Sequence, residues 1–217
     1  MTDDITYASY LRLGELLELQ SPISDPEQPD ELLFIIVHQA SELWFKALLH
    51  EFDGLVASFE RNNAGESLWH LQRINSLMRI VSAQLSALET LPPQRFAKLR
   101  AFLGSSSGVQ SEQFRAIENA SPTFEELFLR MLETNGTKVE DLYLGPGPST
   151  LFFVAEALLE YEQQFARWRF THVQLVERVI GAGTRGTGGT SGSGYLMRTV
   201  DQRFFPKLWE ARAHLQR

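Results

Sequence analysis

Two histidines that lie on apolar helix faces are the strongest candidates for chemistry in this sequence. His38 follows Phe34 by four residues and precedes Phe45 by seven, which places it on the apolar stripe of a helix. His172 lies in line with Trp168 on a second apolar face. A neutral imidazole in such a place can bond to a neighbouring group or face a flat apolar cofactor. On spacing alone the structural role is the commoner one for both residues.

The absence of cysteine limits what else the chain could use. It excludes disulfides, thiolate metal sites and a cysteine nucleophile, so any metal would depend on His, Asp, Glu, Met or Tyr. The other three histidines, His50, His70 and His214, are flanked by polar residues and are predicted at the surface. No pair of histidines has the close spacing of a helical zinc site. A site with several histidine ligands is therefore not expected.

Two further features could carry polar chemistry, Arg100 and a glycine-rich segment at 181–194. Arg100 lies near the end of an otherwise apolar short helix, where a favourable interaction with the helix dipole explains it. The glycine-rich segment could cradle an anion, but no strand precedes it and it lacks the lysine of a phosphate-binding loop. A flexible linker and an active-site lid are both compatible with its composition.

The elements that must position these residues are helices. Apolar residues recur at intervals of three and four, and no credible alternating strand is found. Long helices are predicted at 32–60, 68–88 and 150–181. Shorter helices are predicted at 7–19, 96–103, 111–119, from the segment SPTFEE onward, and at 195–214. We expect an all-α helical bundle that forms one domain over residues 1–217.

Composition and charge narrow the class of protein further. The chain has 217 residues and a net charge of -7, and its basic residues are scattered rather than gathered in a stripe. This argues against a nucleic-acid partner, because phosphate binding needs clustered cations. The start of the chain lacks a signal-peptide pattern, and no run of apolar residues approaches the roughly 18 of a membrane span. We expect a cytoplasmic protein with no membrane partner.

Four segments in a fixed order carry a more specific signal. They are TYASYLRLGELLELQ at 6–20, LLFIIVHQASELWFKALLHE at 32–51, FAKLRAFLGSSSGVQSEQFRAIEN at 96–119, and RWRFTHVQLVERVIG with RGTGGTSG at 167–192. In this order they resemble the signatures of the tryptophan 2,3-dioxygenase family. Together they cover about two fifths of the chain, and the combination in one order is far more specific than any single motif.

The resemblance implies a haem b enzyme that uses O2 to cleave the indole C2–C3 bond of L-tryptophan, giving N-formylkynurenine. By position in the motifs, His172 would be the axial ligand of the haem iron, in a pocket within the bundle. His38 would be the distal residue that faces the indole N–H beside Phe34. Ser107 and Gly108 match positions near the haem edge.

The same resemblance implies how substrate is bound. Arg100, in the segment that begins at Phe96, would bind the substrate carboxylate, and Phe96 would line the pocket. Thr187 would contact the ammonium and carboxylate groups as the glycine-rich loop closes. Tyr7 and Tyr10 match tyrosines that reach the pocket from a neighbouring protomer. The resemblance therefore also implies an obligate oligomer, a homotetramer in the family.

Departures from the family's pattern leave alternatives open. The segment 120–165 is much shorter than in typical members, and Val109 stands where an aromatic residue is usual. Small changes in a pocket, worth about 1–3 kcal/mol, can alter substrate preference. One alternative is a haem-dependent monooxygenase of the same superfamily that hydroxylates a substituted tryptophan, an indole or a tyrosine. Another is a non-catalytic scaffold or haem sensor, which the retention of Arg100 and the glycine-rich loop disfavours, because packing requires neither.

Overall fold

The computed structural model describes residues 4–145, 147–184 and 193–214, and within these ranges all regular structure is helical. In chain order the helices are α1 (Tyr7–Tyr10), α2 (Leu13–Leu16), α3 (Glu31–Glu60), α4 (Ala64–Ala83), α5 (Leu85–Leu88), α6 (Pro93–Arg100), α7 (Glu112–Ala120), α8 (Thr123–Thr134), α9 (Asp141–Leu144), α10 (Thr150–Ile180), α11 (Ser193–Val200) and α12 (Pro206–His214). A single turn of 3-10 helix lies at Gly108–Gln110. The predicted all-α class and the three long helices, α3, α4 and α10, are confirmed.

Helix boundaries differ from the predictions where a local backbone feature interrupts the pattern. The helix predicted at 7–19 is two short helices, because Arg12 adopts a positive φ of 49° between them. The helix predicted at 195–214 is also two, since Pro206 cannot continue a helix but can begin one. In contrast to these divided helices, α4 begins four residues earlier than predicted, at Ala64. The Asn63 side chain caps it by accepting a hydrogen bond from the Glu66 amide at 3.1 Å.

Two hydrophobic clusters hold the bundle together. In the main cluster, α10 packs along α4 and α4 packs along α3, with α7, α8 and α12 closing the sides. The smaller cluster lies where α3, α5, α6 and α10 meet. Its buried members are Val37, Leu85, Leu88, Leu91, Phe96, Leu99, Leu175 and Val179. This smaller cluster, called here the α3–α6–α10 cluster, includes one predicted site residue and adjoins several others.

Helix α3 is long and apolar enough to cross a membrane, with a mean hydropathy of 1.4 over its most apolar window. Its C-terminal half nevertheless belongs to the main core, where Leu48 and Leu55 are fully buried. Its N-terminal half exposes a stripe formed by Leu32, Ile36 and Leu43. The helix is therefore a core helix of the bundle with one uncovered apolar face.

A buried carboxylate on α10 fixes the C-terminal part of the chain to the bundle. Glu162 is 1% exposed and accepts hydrogen bonds from the backbone amides of Phe204 and Phe205, at 2.5 and 2.9 Å. It also accepts from the Trp209 indole at 2.5 Å and pairs with Arg203 at 3.0 Å. Four donors thus compensate the removal of one charge from water.

Replacing Glu162 with leucine should destabilise the fold by about 3 kcal/mol, because buried donors lose their acceptor. Urea unfolding followed by circular dichroism would measure this. The matched control is Glu160→Leu on the same helix, which removes an exposed pair with Arg79 at 2.8 Å. An exposed pair contributes at most about 1 kcal/mol. Equal losses for the two variants would contradict the anchoring role of Glu162.

Candidate functional site

The α3–α6–α10 cluster brings together residues from three separate sequence motifs. Helix α3 supplies Phe34 and His38, α6 supplies Phe96 and Arg100, and α10 supplies His172. Helices α6 and α10 pack against one another, and Val37 of α3 is buried in the same cluster. Burial of the apolar residues between these helices helps to set the relative position of the polar groups.

His172 is a neutral imidazole with a nitrogen available for a ligand. Burial is the main factor that lowers its pKa, to about 4, and the nearby charge of His38 lowers it further. Its ring stacks on Trp168 with centroids 5.4 Å apart and planes 9° from parallel. No other described group donates a hydrogen bond to its ring or accepts one from it, and the buried Nε1 of Trp168 also lacks a partner there. At neutral pH no proton competes for the free lone pair of His172.

His38 is held in one tautomer by its own helix. Its Nδ1 lies 2.7 Å from the carbonyl oxygen of Phe34, one turn earlier. A carbonyl oxygen can only accept, so Nδ1 carries the proton and Nε2 of the neutral ring is an acceptor. Burial lowers the pKa of His38, more than the Phe34 carbonyl and the Glu42 charge raise it, although the residue as a whole keeps some exposure to solvent. His38 thus keeps an acceptor nitrogen that its own helix does not occupy.

Hydrogen bonding to a carbonyl is the structural role that spacing alone favoured for His38, and the structure confirms that contact. It occupies only Nδ1, so the second nitrogen is left for another partner. The charge of His38 is also among the factors that lower the pKa of His172, so the two imidazoles lie within electrostatic range of one another. The sequence did not predict this proximity from spacing, since the residues lie on helices far apart in the chain.

Aromatic rings form one wall of the site. The Phe34 ring lies 4.1 Å from the His38 ring and 5.7 Å from the Phe96 ring, measured between centroids. Phe96 is 8% exposed and Phe34 is partly buried. Rings at these distances and tilts attract one another and present a flat apolar surface. Such a surface suits an aromatic ligand.

A cavity of about 360 Å³ adjoins this wall, between α6 and the end of α10. Its lining consists of Pro93, Phe96, Ala97, Arg100, Arg178, Val179, Ile180 and Gly181. Among the described residues two guanidinium groups and no carboxylate line it, so it suits an anionic group on a largely apolar ligand. A cavity of similar volume between α4, α10 and α12 contains none of the predicted site residues.

The remaining predicted site residues lie in loops or at the surface. Ser107 precedes the 3-10 turn, where its amide donates to the Gln110 side chain at 3.2 Å, and a Cβ on Gly108 would meet only open space. Thr187 lies outside the described residues, as does the rest of 185–192. Tyr7 and Tyr10 are 77% and 75% exposed, so a single chain does not bury them.

One prediction about the histidines is wrong. His70 was predicted at the surface, but its side chain is only 13% exposed, and its Nδ1 bonds to Glu51 at 2.9 Å. Helix α3 comes close enough for this contact because Gly54 has no side chain, and a Cβ there would lie 2.3 Å from the imidazole. A glycine inside an apolar helix is the signal that could have indicated close packing.

Sequence reasoning also missed Arg178 as a lining residue of the cavity. It belongs to the RVIG part of the fourth motif and lies in the last turn of α10. There its charge has an ordinary explanation in the helix dipole, so nothing in the pattern singled it out. Only the packing of α6 against α10 shows that it shares a cavity with Arg100.

Comparison with known proteins supports the resemblance drawn from the motifs. The model of the tryptophan 2,3-dioxygenase family matches residues 2–126 and 134–215. A tryptophan 2,3-dioxygenase from Herpetosiphon aurantiacus is 36% identical, over 99% of this chain and all of the relative. The Kineococcus radiotolerans enzyme of the same name is 34% identical, over 99% of this chain and 92% of its own. That of Nocardioides sp. is 36% identical, over 97% and 95% respectively.

The same comparison agrees with the shortened segment noted in the sequence. The alignment with the Herpetosiphon aurantiacus protein extends over 262 positions, although this chain has 217 residues, so the relative carries positions that this chain lacks. The family match is interrupted at 127–133, within α8. Beyond α8 the chain reaches α10 through only the single turn of α9. His38, Arg100 and His172 themselves lie outside the shortened segment 120–165.

Proposed function

We propose, since this chain belongs to the tryptophan 2,3-dioxygenase family, that it cleaves the indole C2–C3 bond of L-tryptophan with O2 to give N-formylkynurenine. The single observation that best supports this is the pair of histidines on helices of the α3–α6–α10 cluster, each with a pKa that burial lowers. His172 offers a free ring nitrogen and His38 offers an acceptor, next to a cavity that contains Arg100. These groups could hold a haem iron and accept a hydrogen bond from an indole N–H.

The residues around His172 fit a haem. No cluster of three His, Asp or Glu side chains occurs in the described part of the chain, so an iron held here would have one protein ligand and take the others from a macrocycle. His172 would hold the iron of haem b as the cofactor, and Ser107 and Gly108 would lie near the haem. The bound haem would supply the activation of O2. The stacked Trp168 ring would fix the orientation of the ligating imidazole.

His38 would orient the substrate ring. With its Nδ1 proton donated to the Phe34 carbonyl, Nε2 can accept a hydrogen bond from the indole N–H. Indole is too weak an acid for a neutral imidazole to deprotonate fully, so the proton stays on the indole nitrogen at the start of the reaction. The hydrogen bond raises the electron density of the ring as attack begins.

The carboxylate and ammonium groups of the substrate would be bound in the cavity that adjoins the wall of Phe34 and Phe96. Arg100 lines the cavity, and its guanidinium can form two parallel hydrogen bonds to the substrate carboxylate. Phe34 and Phe96 would pack against the indole and exclude water from it. Thr187 would complete the binding of the ammonium and carboxylate groups.

Replacing His38 with alanine should leave haem binding intact but lower kcat/KM for L-tryptophan about 10- to 100-fold, because one hydrogen bond to the reacting ring is lost. Steady-state kinetics on the haem-loaded variant would measure this. The variant should also discriminate less between L-tryptophan and its N1-methyl derivative, which has no N–H to donate. His50→Ala is the control, since His50 is exposed on the same helix. Complete loss of haem from His38→Ala would instead place His38 at the iron.

The uncovered apolar surface near the N-terminus supports the proposed homotetramer. Residues of the first segment are strongly exposed in the single chain, namely Ile5 at 81%, Tyr7 at 77%, Tyr10 at 75%, Leu17 at 71% and Leu19 at 63%. The stripe of Leu32, Ile36 and Leu43 on α3 adds further uncovered apolar area. Large apolar side chains exposed together are typical of a surface that a partner covers. A second copy of the chain would cover it, with Tyr7 and Tyr10 entering the neighbour's pocket.

A charge placed in this segment should dissociate the oligomer. Leu17→Glu is expected to shift the mass measured by light scattering from about four chains towards one, because a buried unpaired carboxylate opposes association. Leu144→Glu is the control, as Leu144 has the same exposure of 71% in another part of the chain. A tetramer of unchanged stability for Leu17→Glu would contradict the proposed interface.

The experiment that tests the proposed reaction is a product analysis with isotopic oxygen. The ferrous, haem-loaded protein is mixed with L-tryptophan under ¹⁸O2, and the product is identified by mass spectrometry. We expect N-formylkynurenine with both labelled atoms. A product that has gained one oxygen atom with the ring intact would favour the monooxygenase alternative, and a haem-loaded protein without any product from L-tryptophan would contradict the proposal.

A further inference from the structure

Helix α7 contacts both of the helices that carry His38 and His172. It packs along α3, and its Phe114 ring lies 5.8 Å from Phe45 of α3 and 5.0 Å from Trp168 of α10, measured between centroids. Phe45 and Trp168 also meet edge to face at 6.4 Å. Phe45 follows His38 in α3, and Trp168 lies one turn before His172 in α10. Helix α7 therefore bridges α3 and α10 close to the turns that carry the two histidines.

A polar side chain of α7 fixes each side of this bridge. Gln113 donates from Nε2 to the backbone carbonyl of Glu42 at 2.9 Å and to the Glu42 carboxylate at 2.8 Å. Glu118 accepts a hydrogen bond from Arg169 of α10 at 2.6 Å, and the Arg169 side chain is only 4% exposed. At 100° per residue, Gln113 and Glu118 are about 140° apart around the axis of α7. One can thus face α3 while the other faces α10.

The hydrogen bonds from Gln113 reach α3 one turn beyond His38. Glu42 follows His38 by four residues, so the two side chains are neighbours on one face of α3. Burial lowers the pKa of His38 and the Glu42 charge raises it in part, as expected for a carboxylate near the imidazole. A hydrogen bond has a preferred distance and angle, so two of them fix the register of α7 on α3, whereas contact between apolar rings does not.

We propose that α7 sets the position of His38 relative to His172, with Gln113 as the positioning residue. This inference rests on the proposed function, in which the indole N–H bonds to His38 while the cofactor is held at His172. The distance between the two imidazoles then determines where the indole C2–C3 bond lies in the site. A displacement of about 1 Å at a reacting group can lower a rate about 100-fold. A residue that touches neither substrate nor cofactor can therefore affect the rate.

The experiment is a double-mutant cycle between Gln113 and His38 on the haem-loaded protein. Gln113→Leu removes both hydrogen bonds to Glu42 and keeps a side chain of similar size. The substitution is made in the unsubstituted chain and in His38→Ala, and kcat, KM and Tm are measured for all four proteins. Asn119→Leu is the matched control, because Asn119 carries an exposed amide on the same helix.

The expected result is a loss of rate that depends on His38. Gln113→Leu should lower kcat for L-tryptophan about 10-fold, with a smaller change in KM because Arg100 still binds the carboxylate. In His38→Ala the same substitution should change kcat less than about twofold, since the residue that Gln113 positions is absent. The decrease in Tm should be the same in both backgrounds. A purely structural Gln113 would instead affect kcat equally with and without His38.

A second measurement does not depend on turnover. The ratio of the spectroscopic Kd for N1-methyl-L-tryptophan to that for L-tryptophan reports the hydrogen bond between the indole N–H and His38. Gln113→Leu should reduce this ratio about 3- to 10-fold. An unsubstituted protein that binds haem and L-tryptophan but forms no N-formylkynurenine would contradict the proposed reaction, while the Kd ratio would still decide the role of Gln113.

The proposal is overturned if Gln113→Leu lowers kcat by the same factor in both backgrounds. It is also overturned if Gln113→Leu matches Asn119→Leu in kcat and in the Kd ratio. If Gln113→Leu does not fold, Gln113→Asn replaces it in the cycle, because a side chain shorter by one methylene is too short to keep both hydrogen bonds to Glu42. The same criteria then decide the outcome.

Discussion

Replacing His172 with alanine is expected to abolish stoichiometric haem binding. The neutral imidazole is the proposed axial ligand, and the described residues offer no cluster of His, Asp or Glu that could replace it. Reconstitution of the purified variant with haem, followed by its Soret spectrum and the ratio of haem to protein, would measure the loss. Its helix content should stay unchanged, since the main hydrophobic core does not include His172.

Added imidazole provides a control for this variant. The space left by the side chain, beside the flat face of Trp168, should accept free imidazole and restore part of the haem binding. The matched variant His70→Ala removes another largely buried histidine from a different pair of helices and should keep its haem. A His172→Ala protein that retains full haem with an unaltered spectrum would exclude His172 as the ligand.

Replacing Arg100 with alanine should raise the KM for L-tryptophan about 10- to 100-fold through loss of a charge-assisted pair with the carboxylate. The corresponding change for indole or tryptamine should be small, because neither has a carboxylate to bind. Steady-state kinetics and spectroscopic titration of the haem-loaded variant would separate the two effects.

The control for Arg100 lies on the same helix. Arg95 is exposed and pairs with Asp30 at 3.6 Å, and it does not line the cavity. Arg95→Ala should therefore leave the KM for all three compounds unchanged. If Arg100→Ala weakened L-tryptophan and tryptamine to the same degree, the carboxylate role of Arg100 would be refuted.

The fold could be predicted from the sequence to the extent that helical periodicity determines it. The long helices follow from a repeat of apolar residues that the main core then buries, so their prediction was confirmed. The apolar pattern did not predict a helix end where a single residue interrupts the helical backbone but the apolar repeat continues. Arg12 interrupts the first helix with a positive φ, and the apolar repeat continues across it. Such a break depends on local backbone geometry rather than on hydrophobicity.

The site could be predicted only in part, for a different reason. Ordered motifs identified His38, Arg100 and His172, whereas spacing alone could not place residues from three helices at one cleft. The tautomer of His38 required the actual distance to the Phe34 carbonyl. Arg178 was missed because an exposed cation at a helix end looks the same in sequence whether or not a cavity lies beside it.

The separation of the two hydrophobic clusters affects how the substrate preference of such a protein can evolve. Most of the buried aromatic residues belong to the main cluster, whereas the residues proposed to touch substrate belong to or adjoin the α3–α6–α10 cluster. A substitution that reshapes the indole pocket therefore removes little of the stabilisation that keeps the chain folded. Substitutions in the α3–α6–α10 cluster can therefore change which aromatic substrate is bound, while the main cluster keeps the chain folded.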